Sequence, residues 1–92
     1  MKIEWSKTAI EDLKSLRAYI SEHDPAAATR TATSILSGVE SLLKFPGLGR
    51  AGRVPHTREL IIPDTSYLVI YHVSDDTVRI DSVLHSARKW PD

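Results

Sequence analysis

The chain has 92 residues, of which 41% are hydrophobic and 26% charged, with no cysteine and a formal net charge of zero. Such a length makes one domain, residues 1–92, whose folding buries only about 60–70% of the surface exposed by the unfolded chain. The composition excludes disulfide staples and thiolate metal sites, and the longest apolar run, Tyr67-Leu68-Val69-Ile70-Tyr71, falls far short of the roughly 20 residues that span a bilayer. The opening Met1-Lys2-Ile3-Glu4-Trp5 has no apolar signal-peptide core, so a cytoplasmic location is expected.

Lys2–Trp5 reads as a short strand. Ser6 offers an N-cap, and Ala9, Leu13, Leu16 and Ile20 then recur at helical spacing, predicting a helix that ends near His23. Asp24-Pro25 restarts the chain as N-cap and first helical residue, where the missing proline N–H costs nothing. Ala28, Ala32, Ile35, Val39 and Leu42 repeat the stripe, widened by Leu36 and Leu43, and Phe45-Pro46-Gly47 stops this second helix after Lys44. So tight a connection makes the two helices an antiparallel hairpin.

A glycine-rich loop, residues 47–56, leads to three strands over Arg58–Ile62, Ser66–Val73 and Val78–His85. Pairing Val73 with Val78 and Tyr71 with Ile80 gathers the apolar side chains of the last hairpin on one face. That register places Tyr67, Val69, Tyr71, Val73, Val78 and Ile80 under the helices. His72, Arg79, Asp81, Val83 and His85 then share the open face with Leu68 and Ile70. The expected class is α+β: an N-terminal strand and a helical hairpin on one face of a small antiparallel sheet, in the order β-α-α-β-β-β.

Charge is segregated despite the neutral total. Lys44, Arg50, Arg53 and Arg58 lie in a stretch without acids, and Arg88 and Lys89 form a second basic spot. Such segments can draw an anionic partner or simply be solvated. On the open face His85 is a candidate general acid or base with Arg79 steadying a phosphate oxyanion, or else Arg79 and Asp81 form an ordinary surface pair. Arg58 can reach that face, while Glu59 can act as a structural partner for Arg58. Trp90, beside Arg88 and Lys89, can pack on the sheet or serve as an exposed anchor for a partner. The four histidines lack metal-ligand spacing, no serine sits in a nucleophile elbow, and the glycine loop lacks a phosphate-binding pattern, so neither metal nor cofactor is expected.

The order of elements, with Phe45-Pro46, Gly49-Arg50, Gly52-Arg53-Val54 and Thr57-Arg58-Glu59-Leu60, resembles the RelE/ParE toxin superfamily. So do Tyr67 through Val73 and the ending Val83-Leu84-His85-Ser86-Ala87-Arg88-Lys89-Trp90-Pro91. The resemblance implies the toxin of a type II toxin–antitoxin, or plasmid-stabilisation, module: a cognate antitoxin wraps an extended, partly helical segment over the toxin, and the pair reaches operator DNA through the antitoxin. It also implies one of two targets. ParE-like members inhibit DNA gyrase; RelE-like members are metal-independent mRNA interferases that cut mRNA in the ribosome. RelE-like nucleases carry a basic residue on the third strand, where this chain has Leu68 and Ile70, and often a late tyrosine, whereas none follows Tyr71 here. The Leu-His-x-x-Arg ending is closer to ParE-like members. The resemblance thus implies target-binding roles for Arg50, Arg53, Arg88, Lys89 and Trp90. In the RelE-like alternative, catalytic roles fall to His85, Arg58 and Arg79.

Overall fold

Both helices begin where the sequence places a cap. In the computed structural model, which describes residues 1–88 and 90, Ser6 Oγ accepts a hydrogen bond from Ala9 N at 2.9 Å, and Asp24 Oδ1 accepts from Ala27 N at 3.0 Å. The elements are β1 (Lys2–Trp5), α1 (Lys7–Ser21), α2 (Pro25–Ser41), β2 (Arg50–Ala51), β3 (Arg58–Ile61), β4 (Tyr67–Ser74) and β5 (Thr77–His85). Each helix stops a little before its expected end. Glu22 N donates to Tyr19 O, and Leu42, Leu43 and Lys44 donate to Val39, Glu40 and Ser41, tightening the last residues into turns with shorter-range bonds.

The helical hairpin lies on one face of a five-stranded sheet ordered β1-β5-β4-β3-β2. The α+β class is as expected, with two differences of detail. The sheet is mixed, because β1 runs parallel to β5, from which both helices and β2, β3 and β4 separate it along the chain. A short strand absent from the sequence reading, β2, lies within the glycine-rich loop and pairs Arg50 with Glu59 and Ala51 with Arg58.

The main core joins Ala9 and Leu16 of α1, Ile35 and Val39 of α2, and Leu42 to Leu60, Val69, Tyr71, Val78, Ile80 and Val83 of the sheet. Ile3, Trp5, Leu13 and Tyr67 pack around its margin. The expected stripe was too wide: Leu36 and Leu43 are exposed, and so is Val73, near the turn. Val73 pairs with Val78 and Tyr71 with Ile80, as the burial argument requires. The next pair is Ile70 with Ser82, leaving Asp81 as an extra residue in a β-bulge. From there the alternation of β5 inverts. Val83 enters the core under the helices instead of the open face, and Leu84 joins Leu68 and Ile70 on the open side.

The bulge is satisfied from outside the ladder. Asp81 O accepts from Ser6 Oγ at 2.9 Å, and Val83 N donates to Asp12 Oδ2 of α1 at 2.9 Å, where β1 has already ended. The loop after α2 is pinned as well. The buried Tyr71 hydroxyl donates to Pro46 O at 2.7 Å and accepts from Gly49 N at 2.8 Å. Gly49 is required there, since a Cβ would stand 2.7 Å from the Tyr71 ring.

Two stability changes are expected. Ile35 is fully buried, so Ile35→Ala should cost about 2–5 kcal/mol in denaturant unfolding; an unchanged midpoint would put a different face of α2 on the sheet. Tyr71→Phe keeps the ring but strands the buried Gly49 N–H, for an expected loss of about 1–3 kcal/mol. Faster amide hydrogen exchange at Gly49 would show that the loop is what loosens.

Candidate functional site

Among the described residues, the face of the sheet away from the helices carries three charged groupings and one apolar patch. Next to β1, Arg79 donates to Glu4, its partner in the parallel register. In the middle, His72 Nδ1 lies 2.8 Å from Asp81 Oδ2. The bulge creates this second contact by turning Asp81 toward β4. At the far edge, Glu59 meets Arg50 and Arg53. Leu68, Ile70 and Leu84 form the patch between them, with the half-buried Trp90 packed on it.

The residues expected to form a nuclease site are not brought together. Arg79 is on the open face, but it pairs with Glu4, and Asp81 is taken by His72. Arg58 does not reach that face. It stands opposite Tyr71, on the helix side, and its Nη1 donates to Gly49 O at 2.8 Å and Gly47 O at 3.3 Å. His85 also leaves the open face, because the bulge puts it in register with Tyr67, whose ring it meets edge-on at 5.5 Å. Its Nδ1 accepts from Ala87 N at 3.1 Å. Tyr67 lies four residues along β4 from Tyr71, so roughly 13 Å of strand separates the row of His85 from that of Arg58. Burial, with a smaller contribution from nearby Tyr19, raises the Tyr67 phenol above its usual value; the ring beside His85 is therefore neutral at physiological pH.

The residues expected to bind a target do converge in part. Arg50 Nε and Nη2 donate to Glu59 Oε1 at 3.3 and 3.0 Å, and Glu59 Oε2 accepts from Arg53 N at 3.2 Å. Arg53 Nη1 donates in turn to Trp90 O at 3.2 Å. Both guanidinium groups stay about half exposed while Glu59 is 2% exposed, so the corner presents cations and an indole to solvent above one buried anion. Arg88 is exposed, its N donating to His85 O at 3.0 Å; Lys89 lies outside the described residues.

Two groups escaped the sequence reading. Glu59 was expected beside Arg58, but strand alternation sends neighbours to opposite faces, and its partners come from β2 and the loop after it. The His72–Asp81 pair was hidden because both lay on the predicted open face with Asp81 assigned to Arg79. Among the described residues no group of three or more His, Asp and Glu side chains gathers as a metal site, and no helix is long and apolar enough to cross a membrane.

This arrangement has relatives. The family model described as "ParE toxin of type II toxin-antitoxin system, parDE" matches residues 3–90. A candidate toxin, Y4kP, of Sinorhizobium fredii is 39% identical over 90 residues, covering 98% of this chain and 93% of its own. Toxin RelE2 of Caulobacter vibrioides is 31% identical over 87 residues, 95% of this chain and 97% of its own. Among solved structures, the chromosomal ParDE toxin–antitoxin system from P. aeruginosa includes a chain that superposes with a TM-score of 0.84 at 22% identity, over 92% of this chain and 95% of that one, a likeness of fold. With a family model spanning nearly the whole sequence and relatives named as toxins along its full length, the chain belongs to the ParE toxin family of type II toxin–antitoxin systems.

Proposed function

We infer that this toxin acts without catalysis, as a ParE-like inhibitor of DNA gyrase, and meets its target through the basic loop and the C-terminal tail. The observation that carries this reading is the corner where Arg50, Arg53 and Trp90 meet on the open face, while Arg58, Arg79 and His85 are dispersed. Exposed guanidinium groups beside a half-buried indole are the side chains that dominate protein–protein contacts. Arg88 and Lys89 extend the same basic character along the tail. A gyrase inhibitor has no proton to move, so it does not need the three dispersed residues to converge.

A specific contact favours the second reading, a RelE-like ribosome-dependent mRNA endonuclease that works without metal. With Nδ1–H turned toward Asp81, His72 keeps Nε2 free to exchange a proton, and Arg79 is its cross-strand neighbour. In that reading His72 takes the role the sequence analysis gave to His85.

The cognate antitoxin fits a groove that adjoins the basic corner at Arg50 and Glu59. A groove of about 710 Å³ runs between α2 and β3, lined by Ser34, Ser37 and Ser41 on one side and by Leu48, Ile61 and Ile62 on the other. β2 covers β3 only as far as Glu59, so among the described residues the outer edge of β3 beyond it has no strand partner, and an extended antitoxin segment can add there.

Growth assays separate the two mechanisms. Expression of the chain alone should arrest bacterial growth, and the operon partner should restore it. Removing residues 88–92 should abolish the arrest, while His72→Ala and His85→Ala keep it, with cells elongating and accumulating DNA damage as translation continues. Losing a general acid or base costs about 10²–10⁴ in rate, so relief of toxicity by either histidine variant, with mRNA cleaved in the ribosomal A site, would establish the nuclease instead. Leu48→Asp, at an exposed groove position, should weaken the purified antitoxin complex by about 10-fold, or ~1.4 kcal/mol. Equal affinity would place the antitoxin elsewhere.

A further inference from the structure

The charged group most deeply buried at the candidate site is the one that cannot itself touch a target. Glu59 sits on β3 opposite Ile70, beside the apolar patch, and is 2% exposed. A carboxylate taken out of water must be paired, because losing its partner leaves an uncompensated charge in a low dielectric. Glu59 therefore imposes an orientation on whatever cation approaches it. Two do. Arg50, its neighbour in the β2–β3 ladder, is held by Nε and Nη2. Arg53 is held by its backbone N at 3.2 Å and by Nε at 3.6 Å from Oε2. Arg53 continues outward, its Nη1 donating to Trp90 O at 3.2 Å. The rigid plane of the guanidinium makes this a two-ended link, with the carboxylate on the Nε side and the tail on the Nη1 side. The indole ring at the end of that link lies on Leu68, Ile70 and Leu84.

We propose that Glu59 is a positioning residue that acts through Arg53 to fix Trp90 on the sheet, joining the basic loop and the C-terminal tail into one surface. The link is between residues far apart in sequence, and among the described residues it adds a long-range tie to a tail whose local backbone bonds end at Arg88 N to His85 O. That this surface meets the target rests on the function proposed above; the positioning itself is a property of the free toxin and can be read there.

The experiment uses the full chain in a Trp5→Phe background, which leaves Trp90 as its sole tryptophan. Trp90 emission and its protection from acrylamide are measured, with far-UV circular dichroism confirming the fold. Glu59→Gln keeps the shape but removes the anion, and Arg53→Met keeps the stem but removes the guanidinium. Both should shift Trp90 emission to the red and lose its protection. Arg50→Met, which removes the other cation bound to Glu59 and leaves the Arg53–Trp90 bond in place, should retain it. Continued protection in Arg53→Met, or equal exposure in Arg50→Met, would overturn the proposal, and these two variants decide it even where Glu59→Gln fails to fold. Growth arrest is scored in parallel. Release of Trp90 with loss of toxicity supports both positioning and target contact. Release of Trp90 with full toxicity supports the positioning role and overturns the reading of this corner as the target surface.

Discussion

One extra residue in β5 decides what the two faces of this sheet carry. Without the bulge at Asp81, the strand would keep a strict alternation, Val83 would point to solvent and Leu84 into the helices. With it, the apolar residues on both sides of the bulge reach the core under the hairpin, and Leu84 is left on the open face with Leu68 and Ile70. The insertion frees backbone groups from the ladder, and α1 and its cap supply their partners: Ser6 Oγ for the Asp81 carbonyl and the Asp12 carboxylate for the Val83 N–H. The helix thus stabilises the irregularity that lets the sheet pack against it. Asp81 is also turned toward His72, and His85 is carried to the helix side beside Tyr67.

The loop between α2 and β3 is held from both sides of the sheet, which explains how a glycine-rich segment presents arginines in a defined place. From the helix side, Tyr71 and Arg58 bond the backbone of residues 46–49. From the open side, Glu59 binds Arg50 and the backbone of Arg53. Arg58 and Glu59 are adjacent in sequence and work on opposite faces, each fixing a different part of the same loop. A buried carboxylate with two cations is a weak source of net stability, since desolvation offsets most of the Coulomb attraction, but it is a strong constraint on geometry.

The same face offers two chemistries at different places. Near β1 and the bulge, an oriented imidazole and a paired arginine have the elements of proton transfer. Toward β2 and the tail, exposed cations and an indole have the elements of binding. A family fold shared by ParE-named and RelE-named relatives does not decide between them, because function resides in the side chains grafted on it. The convergence of the loop and tail residues, set against the dispersal of the three expected catalytic residues, is what gives binding more support here.

The sequence by itself determined the local elements and the class. Ser6 and Asp24-Pro25 set the helix starts because capping depends on neighbours three residues away, and apolar spacing assigned Ile35, Val39, Val69 and Tyr71 to the core because burial selects one face of a helix or strand. It also held an unread sign of the bulge, the change of apolar spacing from two to three between Ile80 and Val83. Only the tertiary structure decided that β1 lies parallel beside β5, that Glu59 binds Arg50 and Arg53, and that Trp90 closes on the open face. Those contacts join segments distant in the chain, and their partners are chosen by which strands become neighbours and which face each side chain takes after the bulge. Periodicity along a single strand carries no record of either.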